Sequence, residues 1–163
     1  MIVVSNTSPL TNLAAIGQFH LLHDLYAELY IADGVWAELN AKGYRWPGRD
    51  AVAAAAWIQR HRVDNPALVT LLQRDLDRGE AETIALALDL QADLVLLDER
   101  EGRRIAQRMG LSMIGVIGIL LEAKAQGQIE RLQPQLDALR HEAGFYLSES
   151  VYQRAMVLAG ESY

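Results

Sequence analysis

The 163-residue chain has no cysteine, only four prolines and only two lysines, and it contains no long apolar run. Without cysteine it can form neither a disulfide framework nor a thiolate metal site, and the composition suits a reducing compartment. A bilayer span needs roughly 20 consecutive apolar residues, and no segment approaches that length. The apolar start of the chain is short and lacks a basic flank, so it does not predict a signal peptide. We therefore expect a cytoplasmic protein with no membrane partner.

What the chain does contain is enough apolar material for a buried core. Hydrophobic residues make up 51% of it and charged residues 22%, which is typical of a folded globular protein. The length predicts one domain over residues 1–163. The net charge of −6 argues against nucleic-acid binding by the whole surface. Any such binding would depend on a local basic cluster or on a bound cation.

Short apolar segments alternate with longer segments of helical periodicity. Strands are predicted at Ile2–Val4, Glu28–Ile31, Leu94–Leu97 and Ser112–Ile114. In the first half of the chain, helices are predicted from Ser8 to near Gly17, over Phe19–Tyr26, from Asp33 through Leu39, over Ala51–His61 and from Asn65 to about Asp77. In the second half, they are predicted over Glu80–Leu90, from after Arg100 to Met109, and over Ile119–Gln126, Ile129–Ala143 and Ser148–Leu158. Ser8 and Pro9 together predict a helix N-cap followed by proline in the first turn. This order predicts an α/β fold with a short, mostly parallel central sheet flanked by helices.

Several oxygen-bearing side chains are expected near one edge of that sheet. They are Asn6, Ser8, Glu38, Glu80, Glu82 and Asp98. Ligands bind where the carboxyl ends of parallel strands meet, and these residues follow strands or begin the helices that lead from or into them. Carboxylate and amide oxygens are the ligands of hard divalent cations such as Mg²⁺, which would also offset the repulsion between clustered carboxylates. The pattern indicates a candidate cation site.

The order of five sequence segments resembles a known family. They are V-S-N-T-S-P-L (4–10), A-D-G-V-W-A-E-L (32–39), G-E-A-E-T-I-A-L-A-L (79–88), A-D-L-V-L-L-D-E-R (92–100) and G-L-S-M-I-G-V-I-G-I-L-L (110–121). In this order the chain resembles a PIN domain, most closely the PIN-like branch related to VapC-type toxins. The resemblance covers about residues 1–125 and implies a three-layer fold. Residues 128–163, the predicted C-terminal helices, are the least typical of the family.

The resemblance implies a ribonuclease that uses Mg²⁺ or Mn²⁺ held by a small ring of acidic residues. Carried over by position, the catalytic and metal-binding set is Asn6, Glu38, Glu80 and Asp98, with Glu82 as the alternative to Glu80. Ser8 matches the hydroxyl residue that follows the first acid. The departure is Asn6, because the family pattern has aspartate there. An amide oxygen can ligate a cation but carries no formal charge, so the substitution predicts a weaker metal site.

Each of these residues also has a structural interpretation. Asn6 could bond nearby backbone at a turn, and Glu80 could favour a helix by standing in its first turn. Arg100 and Arg103 are candidates, with Ser8, for contacts to nucleic acid, although a charged run after a strand is often an exposed helix face. His20 and His23 have no third ligand in a recognisable pattern.

Two functions follow from the resemblance. The first is a metal-dependent endoribonuclease that acts as the toxin of a toxin–antitoxin pair, with an RNA substrate, a small antitoxin as partner and a homodimeric state. The second is a catalytically idle PIN-fold protein that binds RNA or a protein partner, which the amide at Asn6 makes credible. A phospho-receiver is disfavoured because neither Lys42 nor Lys124 follows a late strand as that family requires.

Overall fold

The computed structural model describes residues 1–162 of the chain. In this range five strands form one sheet: β1 (Val3–Ser5), β2 (Leu29–Ala32), β3 (Ile58–His61), β4 (Leu94–Leu96) and β5 (Met113–Ile114). They are arranged in the order β3-β2-β1-β4-β5, and every neighbouring pair is parallel. The prediction of an α/β fold around a short parallel sheet is confirmed.

Helices connect and cover these strands. They are α1 (Thr7–Ala15), α2 (His20–Tyr26), α3 (Asp33–Leu39), α4 (Arg49–Ala54), α5 (Pro66–Leu72), α6 (Arg78–Leu90), α7 (Arg100–Arg108), α8 (Val116–Ala125), α9 (Gln133–His141) and α10 (Glu149–Leu158). Three of them begin at side chains that accept a bond from the backbone N–H three residues later: Asn65, Asp77 and Ser148. Such caps satisfy donors that the first helical turn leaves unpaired.

The sheet separates two apolar layers because successive strand residues point to opposite faces. Val3 and Leu96 belong to one buried cluster, which includes residues of α1, α3 and α8. Val4 and Val95 belong to the other, which includes residues of α6 and α7. Strands buried on both faces read as continuous apolar runs, which is how β1 and β4 are recognisable in the sequence.

The C-terminal helices share the first of these layers. Leu136 on α9 and Tyr152 on α10 are buried in the same cluster as Val3. The segment after α10 is also anchored, because the Glu161 carboxylate accepts bonds from the Leu132 N–H at 2.5 Å and from the Lys124 ammonium at 2.6 Å. Helices α9 and α10 therefore pack onto the sheet layer that the family-like segments build.

Two local predictions are wrong. The alanine-rich segment Ala51–His61 is not one helix, since α4 ends at Ala54 and the chain then forms the edge strand β3. Backbone pairing to β2 holds this strand, and three of its four side chains are exposed, so it carries no apolar signal. Ser8 is not an N-cap, because α1 begins at Thr7 after an extended Asn6. The Asn6 N–H bonds the Leu96 carbonyl at 2.9 Å and so prolongs the strand pairing up to the helix.

The strand order creates a crevice at the carboxyl edge. The chain leaves β1 toward β2 on one side, returns through α6 to β4 on the other side, and then continues outward to β5. Such a reversal between adjacent strands opens a cleft where connections diverge, and ligands of open parallel sheets bind there. No helix formed by residues 1–162 is both long and apolar enough to cross a membrane.

Candidate active site

A cavity of about 210 Å³ opens at this crevice. Its walls include Asn6, Ser8, Glu38, Trp46, Asp77 and Glu99. Asn6 follows β1, Glu38 lies on α3, Asp77 caps α6, and Glu99 follows β4. Elements far apart in sequence thus bring polar oxygens to one place, as parallel topology predicts.

Three of these oxygens converge on one point above α6. A Cβ atom built on Gly79 would lie 3.0 Å from Glu38 Oε2 and 3.5 Å from Asn6 Oδ1. The same point is 3.6 Å from Asp77 Oδ1. Because Gly79 has no side chain, the space among the three oxygens stays open. We call Asn6, Glu38 and Asp77 the oxygen triad.

Neighbouring groups hold the triad in place. The Thr7 hydroxyl donates to Glu38 Oε2 at 2.7 Å, and Asp77 Oδ1 accepts the Glu80 N–H at 2.8 Å. The Thr83 hydroxyl donates to the Gly79 carbonyl at 2.7 Å and lies 3.4 Å from Asn6 Oδ1. Asn6 is only 4% exposed, so its side chain has little freedom to leave the cavity wall.

Glu80 lies near α7 and hydrogen-bonds the Asp77 carboxylate of the triad, but it does not itself line the cavity. One of its carboxylate oxygens lies 3.2 Å from a Cβ built on Gly102. Burial, a hydrogen bond to the Asp77 carboxylate and the negative charges of Asp77 and Glu99 together raise the Glu80 pKa to about 8. Near neutral pH the group is therefore mainly protonated, and it can donate to Asp77.

This raised pKa predicts a stability change with pH. The folded protein holds the Glu80 proton more tightly than the unfolded chain does. The stabilising free energy that this tighter proton binding gives to the folded state is fully present below about pH 4.5 and is lost as pH rises through about 8. In Glu80→Gln the amide keeps a donor toward Asp77 but cannot ionise.

As pH rises from about 5 to about 9, the free energy of unfolding of Glu80→Gln should increase relative to that of wild type by at least about 1 kcal/mol. This corresponds to a relative increase of roughly 2–4 °C in Tm. Thermal unfolding of both proteins in a chelator measures the difference. A Tm difference that stays constant over this pH range would contradict the assignment.

Asp98 lies beside the cavity but faces the start of α8. Its Oδ1 accepts the Val116 N–H at 2.7 Å, and its Oδ2 accepts the Ser8 hydroxyl at 3.0 Å. Burial raises the Asp98 pKa, although these two donors and the Arg103 charge act against the shift. Arg103 itself donates to the Leu97 carbonyl at 2.8 Å. Asp98 thus connects the start of α1, the end of β4 and the start of α8.

The other predicted residues are placed as follows. Glu82 faces α3 and accepts the Gly34 N–H of that helix at 3.0 Å. It also pairs with Arg78, one turn earlier on α6, at 2.5 Å. Ser8 lines the cavity, but its hydroxyl already bonds Asp98 and the Asn12 amide. Arg100 is exposed at the start of α7. Glu82 therefore lies apart from the triad.

Sequence reasoning did not select Asp77 or Glu99. Asp77 has a signal in hindsight, because aspartate is a common N-cap residue and Asp77 stands two residues before Gly79, where a helix start was expected nearby. Glu99 follows Asp98, and only the turn after β4 decides which of two adjacent acids faces the cavity. Within residues 1–162, no three histidine, cysteine, aspartate or glutamate side chains are grouped so that they could hold a metal ion. The triad contains two carboxylates and one amide.

The parallel sheet and the polar crevice at its carboxyl edge define an α/β domain of the PIN type. A family model for the PIN domain matches residues 2–161, and the chain belongs to the PIN-domain family. The family resemblance predicted from the sequence is confirmed at this level. PIN domains are typically metal-dependent nucleases and generally use divalent ions, which supports a nuclease, a hydrolase in general terms. The sequence matches no curated protein.

The triad suits a hard divalent cation. All three donors are oxygens, two belong to carboxylates, and all lie within 3.6 Å of the position that a Cβ atom on Gly79 would take. Mg²⁺ and Mn²⁺ prefer such ligands and commonly retain several waters and substrate oxygens in the remaining positions.

Proposed function

We propose that this protein is a ribonuclease that hydrolyses phosphodiester bonds with Mg²⁺ or Mn²⁺ held by Asn6, Glu38 and Asp77. The observation that carries the proposal is the convergence of these three side-chain oxygens on one point above Gly79. Membership in the PIN-domain family supports it, because these domains are typically metal-dependent nucleases. The cavity at the switch between β1 and β4 is also where a substrate of a parallel sheet would enter.

The chain's own residues have separate parts in this mechanism. A bound divalent cation would polarise the phosphodiester and lower the pKa of water. Thr7 fixes the Glu38 carboxylate by its hydrogen bond, and the helix cap fixes Asp77. Glu99 is an exposed carboxylate in the cavity wall and can accept a proton there. Arg100, exposed at the start of α7, is our candidate for a substrate phosphate.

This proposal modifies the set expected from the sequence. We propose Asp77 as the acidic ligand contributed by the start of α6, and Glu80 as the group that exchanges a proton with it. Asp98 is proposed to act by positioning, since both of its oxygens accept bonds that hold Ser8 and the start of α8. Arg103 supports Asp98 from the other side.

Gly79→Ala tests the proposal directly. The added methyl group would occupy the space among the three oxygens, so Mn²⁺ affinity should fall at least about tenfold, with cleavage of RNA falling in parallel. Gly79 lies in the first turn of α6, where alanine favours the helix by about 0.5–1 kcal/mol. Stability in a chelator should therefore stay within about 1 kcal/mol of wild type. Calorimetric Mn²⁺ titration and thermal unfolding measure the two effects.

Gly102→Ala is the matched control. It also adds a methyl group on a helix near a carboxylate oxygen, here Glu80 at 3.2 Å, but it lies outside the cavity wall. Its Mn²⁺ affinity should stay within about twofold of wild type. If Gly79→Ala binds Mn²⁺ as wild type does, the cation does not lie within the triad.

The finer proposal is that this ribonuclease is a VapC-like toxin, countered by a small antitoxin and assembled as a homodimer. It is supported by the five ordered segments that resemble that branch. Exposed Val157 and Leu158 on α10 provide apolar surface for self-association. Induced expression of wild type in a bacterial host should arrest growth, and Gly79→Ala should not. Equal growth of both strains, at equal protein levels, would remove the toxin assignment.

A specific observation also favours the second function. The first oxygen of the triad is an amide, so the site has one negative charge fewer than the family pattern. A PIN-fold protein that binds RNA without cutting it would be expected to have such a less negatively charged site. Asn6→Asp distinguishes the two functions, because it restores the missing charge.

A further inference from the structure

Two aromatic side chains lie on the connection between α3 and α4, and one of them lines the triad cavity. We call residues 41–48 the aromatic loop; it carries Tyr44 and Trp46. Their rings meet edge to face, with centroids 4.7 Å apart and planes at 76°. Trp46 is half-buried and forms part of the cavity wall, whereas Tyr44 is 59% exposed. Core packing accounts for Trp46, but it leaves the large exposed ring of Tyr44 unexplained.

The aromatic loop is held firmly against α1. Gly48 has a φ of +86°, and a Cβ atom built on it would lie 2.9 Å from the Ala14 Cβ. The Arg49 N–H bonds the Trp46 carbonyl at 3.2 Å, and the guanidinium of Arg45 pairs with Asp50. The backbone from Trp46 to Arg49 is therefore anchored beside α1, and the Tyr44 ring packs against the Trp46 ring.

Trp46 also separates the triad cavity from a second hollow. That hollow has a volume of about 410 Å³ and is lined by Trp46, Arg45 and Arg49, among others. Arg49 has no ion-pair partner within the described part of the chain. The indole thus borders both the cavity that holds the triad and the hollow that holds the Arg49 guanidinium, where the Asp50 carboxylate is already paired with Arg45. This arrangement suits a strand that passes the indole, with the scissile phosphate at the triad and a flanking phosphate at Arg49.

We propose that Tyr44 and Trp46 form a stacking platform for an unpaired base next to the scissile phosphate, and that Arg49 holds the flanking phosphate. The proposal rests on the proposed function and assigns the residues that would bind an unpaired nucleotide beside the cleaved bond. A base in a duplex already has both faces stacked, so it cannot reach an aromatic ring. Stacking on aromatic side chains accepts any base, because each has a π face. Arginine provides a planar fork for a phosphate.

Binding of RNA without cleavage tests the platform. Fluorescence anisotropy in a chelator compares a short labelled single strand with the same strand in a duplex. Wild type should bind the single strand at least about tenfold more tightly. Tyr44→Ala should weaken single-strand binding about tenfold, whereas Tyr44→Phe should retain it, because stacking needs the ring and not the hydroxyl. Tyr44 is exposed, so these changes leave the fold intact.

Tyr146→Ala is the matched control, since Tyr146 is 88% exposed and lines a different cavity next to β5. It should change single-strand binding by less than about twofold. An abasic single strand should remove the difference between wild type and Tyr44→Ala. The proposal is overturned if wild type binds duplex as tightly as single strand, or if Tyr44→Ala binds as wild type. Because no metal is present, this result is independent of Gly79→Ala, which tests the cation site alone.

Discussion

Asn6→Asp is expected to raise Mn²⁺ affinity at least about tenfold and to increase RNA cleavage. Aspartate has the shape of asparagine, and Asn6 Oδ1 already lies 3.5 Å from the point where the triad converges. The change therefore adds a negative charge without moving the ligand. The same charge repels Glu38 and Asp77 when no cation is present, so Tm in a chelator should fall. Asn6→Asp should therefore be less stable than wild type without Mn²⁺ and more stable than wild type with it.

Asn65→Asp is the control for charge alone. Asn65 is exposed and caps α5, where its side chain accepts the Leu68 N–H and aspartate can do the same. It should leave Mn²⁺ affinity and cleavage as in wild type. If Asn6→Asp binds Mn²⁺ more tightly but does not cleave RNA faster, the alternative function, RNA binding without cleavage, is favoured. If neither improves, Asn6 is not a ligand.

Glu38→Gln and Asp77→Asn are each expected to lower RNA cleavage by about a hundredfold or more and to weaken Mn²⁺ binding. Both changes keep the shape and the local hydrogen bond. Glutamine still accepts from Thr7, and asparagine still caps α6. Each removes one of only two charges in the triad, so the effect on the cation should be large while folding changes little. Cleavage rates and Mn²⁺ titrations measure it.

Asp75→Asn is the control for Asp77→Asn, because Asp75 is exposed, lies two residues away and is not part of the cavity wall. It should cleave as wild type does. Asp98→Ala should also lose cleavage, but with a fall in stability of about 1–3 kcal/mol, because it leaves the Val116 N–H unpaired. Cleavage that survives both Glu38→Gln and Asp77→Asn would mean that the triad is not the active site.

Much of the fold is predictable because its signals are local. The apolar runs that become β1 and β4 are continuous, since both faces of these strands are buried. Helix caps such as Asn65 and Ser148 act within three residues, so a sequence pattern reveals them. The edge strand β3 was missed because only backbone pairing to β2 defines it. Alanine-rich sequence before it favours a helix, and tertiary pairing overrides that preference.

The candidate site is predictable in part for the same reason. Residues directly after a buried strand must lie at its carboxyl end, so Asn6 and Asp98 could be placed at the crevice from their position alone. Which acid of the α6 segment faces the cavity could not be predicted. Asp77, Glu80 and Glu82 all lie near the start of that helix, and the direction of each depends on a contact with a distant element.

The sequence by itself determined that the chain folds as an α/β domain of the PIN family with an amide at the first acidic position. Periodicity and the order of motifs carry that information without reference to distant contacts. Only the tertiary structure decided that Asp77 joins Asn6 and Glu38 over the open space at Gly79. It also turned Glu82 to α3 and Asp98 to the start of α8. Side chains a few residues apart on a helix point in different directions, and the elements packed around them select which direction becomes a site.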